Sequence, residues 1–242
     1  MTRLEVCVDD VAGLEAAIQG GADRIELCSN LASGGLTPSA GFMAEASRLP
    51  IPVVALIRPR AGDFMYSATE ARIMARDIEL AAELGLAGVA VGALTPDSRL
   101  DLPLLQRLAD RAAGMALTLH RAFDLTRDPA AALEDAIALG FQRVLTSGGA
   151  RTAIEGAARL ASLVAQSQGR IGILASSGID ADNVDALVRL TLVPEVHASC
   201  RAPANADPAL SALGFQSDRC AATSWTRVRE LKGRLARLGQ AA

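Results

Sequence analysis

The sequence predicts a closed parallel (β/α)8 barrel of the TIM type, one domain over residues 1–242. Three observations carry that prediction. Eight short apolar runs alternate with helix-like runs through short connections, the order expected of an α/β protein with a parallel sheet. A helix-like run closes on glycine and a strand-like run opens within a few residues at Gly20-Gly21, Gly85 and Gly140, before every second strand. A chain of 242 residues also matches the roughly 250 residues of such a barrel. An open doubly wound sheet is the alternative. It needs two edge strands, and no obviously polar pair of runs supplies them. No break in composition marks a second domain.

The elements follow in order. Leu4 to Cys7 is a first strand, and Asp9 or Asp10 can cap a helix whose apolar stripe is Val11, Leu14, Ala17 and Ile18. Arg24 to Cys28 is the second strand, followed by a Gly-rich loop over 29–36. Thr37-Pro38 reads as an N-cap with proline in the first turn. Pro52 to Ile57 is the third strand. Ser67-Ala68-Thr69-Glu70 is a capping-box pattern opening a long helix that ends at Gly85. Gly88 to Val91 is the fourth strand, with a helix near 103–113 after it. Met115 to Leu119 is the fifth and runs into His120. Asp128-Pro129 opens the next helix. Arg143 to Leu145 is the sixth strand, and Thr152 to Glu155 repeats the capping-box pattern. Arg170 to Leu174 is the seventh, and a helix from about Asp182 to Leu190 leads to the eighth, Glu195 to Ser199. Residues 201–220 read as irregular. A last amphipathic helix, Ser224 to Leu238, carries Val228, Leu231, Leu235 and Leu238 and is expected on the outside of the barrel.

Composition bounds the function. Half the residues are apolar and 21% are charged, as in ordinary globular proteins. The net charge of −3 leaves no electrostatic footprint for nucleic acid. No basic segment followed by an apolar one opens the chain, so no signal peptide is expected, and no run is long enough for a membrane helix. Cys7, Cys28, Cys200 and Cys220 form no C-x-x-C pair and read as reduced thiols rather than a disulfide framework.

A parallel barrel gathers its strand ends on one face, where its chemistry sits. The chain has two histidines, His120 and His197, both at strand ends. The same ends offer Glu5, Cys7, Glu26, Cys28, Arg58, Arg60, Asp63, Arg121, Asp124, Ser147, Gly148, Glu195 and Ser199. The period-two alternation of a strand puts Glu5 with Cys7, Glu26 with Cys28, and Glu195 with His197 and Ser199. Ile25 and Leu27 suit the helix layer, so Glu26 is expected inside. A buried carboxylate needs a partner, and Arg58, Arg60 and Arg121 are available. Two simpler uses stay open: the glutamates as an internal ion-pair layer with Arg58 and His120, and Arg60 with Asp63 as a surface pair.

Glu26-Leu27-Cys28, the 34–39 run Gly-Gly-Leu-Thr-Pro-Ser, Arg58-Pro59-Arg60 with Gly62-Asp63-Phe64, His120-Arg121-Ala122-Phe123-Asp124, Thr146-Ser147-Gly148 and Glu195-Val196-His197 with Ser199 together resemble the CutC family. The resemblance spans the first strand to the eighth. It implies a (β/α)8-type barrel, a cytoplasmic location, a homo-oligomer, an association with copper homeostasis, and Cu(I) bound by Cys7 and Cys28. The chain departs from the family pattern at Ala175-Ser176-Ser177-Gly178, where a more Gly-rich turn is expected, and at Cys200, where a small residue is expected.

Two functions are therefore expected. In the first, a cytoplasmic protein of copper homeostasis binds Cu(I) between Cys7 and Cys28, whose side chains are expected at equal heights on strands about 4.8 Å apart. In the second, an enzyme acts on a small carboxylate or phosphate by proton transfer. His120, Glu26, Glu5, Glu195 and His197 are then the catalytic candidates, converging on one mouth. Arg58, Arg60, Asp63, Arg121, Asp124, Ser147 and Gly148 are the substrate-binding candidates. Arg58 and Arg121 hold the anion, helped by the Ser147-Gly148 backbone.

Overall fold

The computed structural model describes residues 2–239. Its strands and helices alternate as β1 (Arg3–Val8), α1 (Val11–Gly20), β2 (Arg24–Leu27), α2 (Ala40–Ala46), β3 (Val53–Leu56), α3 (Ala68–Glu83), β4 (Gly88–Val91), α4 (Leu102–Arg111) and β5 (Ala116–Leu119). The chain continues with α5 (Pro129–Ala138), β6 (Arg143–Thr146), α6 (Ala157–Ser167), β7 (Gly172–Ser176), α7 (Val184–Thr191) and β8 (Glu195–Ala198). Strands β1 to β8 pair in sequence order, all parallel, and β8 closes on β1. The single (β/α)8 barrel expected from the alternation is the observed fold. Among the described residues no helix is long and apolar enough to cross a membrane.

Local chemistry accounts for most boundaries. Asp10 caps α1, Asp101 caps α4 and Asp128 caps α5, each accepting a hydrogen bond from a first-turn backbone N–H. Ser67 and Glu70 form a reciprocal capping box on α3. Two readings need correction. Ser39, not Thr37, caps α2. The Thr37 hydroxyl instead accepts from the Arg58 backbone N–H at 2.9 Å, fixing the end of β3. Thr152 and Glu155 do exchange hydrogen bonds, but they close a turn, and α6 begins later, at Ala157.

Residues 201–220 are also more ordered than their composition suggests. A hairpin of β9 (Arg201–Ala204) and β10 (Cys220–Thr223) encloses a short helix α8 (Pro208–Ala212). Pro203 and four alanines concealed the strand alternation there. The last helix, α9 (Trp225–Leu238), buries Val228, Leu231 and Leu235 against α1 and α7 on the outside of the barrel. Gly20 makes the close approach to Val228 feasible, because a Cβ there would overlap that side chain.

Alternation sorts the barrel. Leu4, Val6, Ile25, Leu27, Val89 and Val91 face the helices and join one continuous apolar core. Fully burying each aliphatic side chain contributes about 1.5–3 kcal/mol. The inward positions are polar towards both ends, and across β8, β1 and β2 the polar run is continuous through Glu5, His197 and Glu26. Glu5, Arg24, Glu26, Thr118, His120, Ser176 and His197 are all buried. At the N-terminal end, Arg24 donates to Glu5 and to Glu195, and Arg143 lies 3.8 Å from Glu195. Gly172 lies between these groups, where a Cβ would stand 3.4 Å from Arg143 and 3.6 Å from Glu195. The ion-pair layer anticipated for Glu5 therefore exists, but its cation is Arg24 rather than Arg58.

Candidate functional site

At the C-terminal end of the strands a cavity of about 430 Å³ opens between the barrel and its loops. Cys7, Glu26, Arg58, His120, Ser176 and His197 line its polar part, and Leu56, Phe64 and Leu145 contribute apolar wall. Every one of these polar groups is on an inward position at or near a strand end, so the barrel register alone brings them together.

Arg58 carries the main electrostatic feature. It is buried, 7% exposed, and among the described residues it faces no carboxylate within ion-pair distance. Its Nη1 donates to the carbonyls of Ser33 and Gly35, both at 3.0 Å, and its Nη2 to Gly62 at 2.9 Å. Its Nε has no partner. The guanidinium also stacks 5.1 Å from the centre of the Phe64 ring. A buried cation without a counter-charge costs several kcal/mol. Carbonyl dipoles and the ring face offset part of that cost, and one N–H remains to be satisfied.

His120 stands beside it, its ring 5.0 Å from that of Phe64. Its Nδ1 accepts from the Ala122 backbone N–H at 3.1 Å, so in the neutral ring the proton is on Nε2. That Nε2 is buried and unpaired, as is the Ser176 hydroxyl. The ring fits because position 92 is glycine: a Cβ there would come within 2.5 Å of the imidazole. Burial, reinforced by the Arg58 charge, lowers the His120 pKa to about 3.

This depressed value has a sign. A histidine that is neutral when folded adds stability that is full above its unfolded pKa and is lost as pH falls from about 6.5 towards 3. The expected result is a His120 Cε1–H resonance that stays constant from about pH 8 to about pH 4. Assignment with His120→Gln checks it, and a midpoint near 6 on this ring contradicts it.

The opposite wall is acid–base chemistry of another kind. His197 Nδ1 lies 2.7 Å from Glu5 Oε1, and Nε2 lies 3.9 Å from Glu26 Oε2. Burial pushes the Glu5 carboxyl up, but the hydrogen bond with His197 and the charge of Arg24 outweigh it and hold the group at about 2. Glu26 is shifted the other way: burial dominates, opposed by His197, and the carboxyl is raised. Burial would lower His197, yet Cys7 and the two glutamates raise it well above its ordinary value. The wall thus sets an ionised Glu5 beside a protonated His197 and a Glu26 that retains its proton more strongly than usual.

Some expected residues lie elsewhere. Glu195 is the first residue of β8, at the far end of the barrel from the cavity, where it binds Arg24. Glu5 lies beneath the cavity and reaches it through His197. Arg60 and Asp63 form an exposed pair at 2.9 Å, with Glu70 as a second partner of Arg60, outside the cavity. Arg121 is on the rim, half-exposed, and its Nε donates to Asp124 at 2.8 Å. Asp124 also accepts from Thr146, from the Ser147 hydroxyl, and from the backbone of Ser147 and Gly149. Gly148 N–H goes to Thr146. The donors of the Ser147-Gly148 turn are therefore consumed inside the protein.

The two thiols are not level. Cys7 pairs in register with Glu26, so Cys28 is two residues further along β2, about 6–7 Å up the strand. Cys7 lines the cavity. Cys28 packs with Cys7, Val54, Leu56 and Ala90 in one interior cluster, and its thiol points 3.5 Å from Glu26 Oε2. Burial and the Glu26 charge push that thiol well above its usual pKa. By type and proximity the pair can hold a soft ion, although ionising Cys28 beside Glu26 opposes it. Glu5, Glu26 and His197 also offer one ligand atom each within 4.8 Å of one another. Glu5 is already engaged by Arg24 and His197.

Comparisons with known proteins agree with this architecture. A sequence model of the CutC family matches residues 2–202. The chain belongs to the CutC family. A family protein CutC from Rhizobium meliloti is 54% identical over 234 residues, covering 96% of this chain and 95% of the relative. One from Caulobacter vibrioides is 51% identical over 230 residues, 94% of each. A crystal structure from Streptococcus agalactiae, described as a copper homeostasis protein CutC, superposes with a TM-score of 0.79 at 33% identity. It spans 82% of this chain and 99% of its own. Phosphoribosylanthranilate isomerase from Thermotoga maritima has a TM-score of 0.56 at 13% identity, a likeness of fold alone.

Sequence reading assigned no role to three residues of the site, although Ser176 stood among the strand-end groups. Phe64 lies inside the Arg58 motif, but nothing in its spacing marks it as the wall between Arg58 and His120. Ser176 was legible as the end of β7, two positions after inward Leu174. Arg24 opens β2 on the inward face, and only the closure of β8 on β1 brings it between two glutamates.

Proposed function

We propose that this CutC-family barrel is an enzyme that binds a small carboxylate or phosphate in the cavity and transfers a proton on it. One observation carries the reading: among the described residues the buried Arg58 has no carboxylate partner, and it lines the cavity with His120 and Ser176, each of which, like Arg58, keeps one buried polar atom without a partner. Unpaired buried donors each cost about 1–3 kcal/mol, and an anion would satisfy all three. Glu26 and His197 on the facing wall are the acid–base pair, set apart by their surroundings as such groups are in enzymes. This modifies the expectation that Arg58 and Arg121 hold the anion together. Arg121 is already neutralised by Asp124.

A screen of phosphate, sulfate, small carboxylates and sugar phosphates by thermal shift tests the reading. A ligand at 100 times its Kd stabilises by about 2.7 kcal/mol. For a chain of this size that corresponds to a rise of roughly 5–10 °C. No response to any anion at millimolar concentration would end it.

A second reading is Cu(I) held between Cys7 and Cys28, favoured by the one interior cluster that contains both thiols. Copper homeostasis in the description of the Streptococcus relative supports it. Under this reading Cu(I) saturates near one ion per chain, and the Cys7→Ser, Cys28→Ser double variant loses it. Anion binding would survive in that variant. A cytoplasmic location and self-association belong to the same family-based proposal; cell fractionation and light scattering test them.

A further inference from the structure

One group in the cavity has no part in anion binding or in the acid–base pair. Cys7 lines the cavity together with His197, two residues after Glu5 on the inward face of β1. His197 Nδ1 is held by Glu5 Oε1 at 2.7 Å, which leaves Nε2 for the sulfur. Glu5 is in turn fixed by Arg24. The strand register builds this row: Glu5 pairs with His197 across β1 and β8, and Cys7 follows Glu5 on the same inward face. A nucleophile and a base lining one cavity, with a third group that orients the base, form the arrangement of covalent acyl-transfer enzymes.

We propose that Cys7 is a nucleophile and that the anionic substrate is an ester or amide whose acyl carbon it attacks. The inference rests on the reading of the cavity as an anion site. In the first step the proton shared between Cys7 and His197 stays on His197 as the C–S bond forms, and the carbonyl π pair moves onto oxygen. His120 and Ser176 line the same cavity, and their unpaired Nε2–H and O–H are the groups proposed for that oxyanion. Collapse re-forms C=O and breaks the bond to the alkoxide or amine, which leaves with the proton from His197. Water then adds to the thioester carbonyl, giving its proton to His197, and the thiol is expelled with that proton restored.

Alkylation tests this on the intact protein with a Cu(I) chelator present. Iodoacetamide and iodoacetate are the probes, and peptide mass spectrometry reads each cysteine. Cys7 is buried and Cys220 half-buried, so exposure alone makes Cys220 the faster. The expected result is the reverse: Cys7 labels at least ~10-fold faster than Cys220, and His197→Gln removes the advantage. The anionic reagent should also gain on the neutral one at Cys7 only, and lose that gain in Arg58→Gln. Wild-type Cys7 labelling no faster than Cys220 with either reagent overturns the nucleophile, whatever the variants do. Fast labelling of Cys7 without preference for iodoacetate supports the nucleophile and removes the anion site beneath it.

Discussion

Arg58→Met should weaken binding of any anion found in the cavity by at least ~100-fold, equivalent to about 2.7 kcal/mol. The magnitude follows from what is removed: the one cavity-lining cation with no carboxylate partner, and with it the charge-assisted hydrogen bonds, worth about 1.5–3 kcal/mol each. Arg121→Met should cost less than ~10-fold, because that guanidinium is half-exposed and its charge is already answered by Asp124. Isothermal titration of both variants with the same ligand checks the contrast. Stability should move separately. Methionine at 58 relieves a buried charge but strands the carbonyls of Ser33, Gly35 and Gly62, so a net loss of about 1–3 kcal/mol is expected. Urea unfolding without ligand measures it. If Arg58→Met still binds and Arg121→Met does not, the anion site lies on the rim and the central reading fails.

The barrel was legible because its signals are local. Each strand is a short apolar run, and many helices announce their start with Asp or Ser at a cap. Inward-facing Glu26 followed from alternation alone, since Ile25 and Leu27 had to face the helices. The site was legible only as far as strand ends could be ranked in one direction. Glu195 exposed the limit: it belongs to β8 and shares a face with His197, yet it begins the strand and so falls at the opposite end of the barrel. Alternation fixes the face a residue points to, not its height.

Pairing across strands was the other hidden quantity. Nothing local in Arg24 distinguishes it from the exposed arginines of α3. Only register, Glu5 opposite both Arg24 and His197, turns three distant residues into one layer. The same register separates Cys7 from Cys28 in height, which spacing along the chain could not reveal. The Asp124 knot was hidden for a similar reason. A conspicuous Ser-Gly-Gly turn and a conspicuous Arg-x-x-Asp motif each suggested a ligand, and they satisfy one another instead. What remained unsatisfied was Arg58, and unsatisfied valence is visible only once every partner has been placed.

The N-terminal ion layer should be the most sensitive point in the barrel to a single substitution. Arg24→Met removes the shared partner of Glu5 and Glu195 and leaves both carboxylates in the interior. Losing one member of a buried ion pair costs about 3–5 kcal/mol, a large share of the stability of an ordinary domain. The pH dependence identifies the cause. In the wild type, Glu5 has a pKa of about 2, held there by His197 and Arg24 against the effect of burial, well below its ordinary value of 4.5. That depression contributes stability above about pH 4.5, which is lost as pH falls towards 2. Without Arg24 the burial effect faces less opposition and Glu5 protonates at a higher pH. The difference between wild type and Arg24→Met should therefore be largest near pH 7 and narrow towards about pH 4, as the stranded carboxyls become neutral. Adding Glu5→Gln and Glu195→Gln to Arg24→Met should recover part of the loss at pH 7, because the two carboxylates stranded by the missing arginine are then neutral, and only part because His197 and Arg143 lose those carboxylates as partners. Urea midpoints for the three proteins at both pH values measure this. A pH-independent loss would mean that the guanidinium acts through packing, and a loss under about 1 kcal/mol would mean that water reaches the layer and screens it.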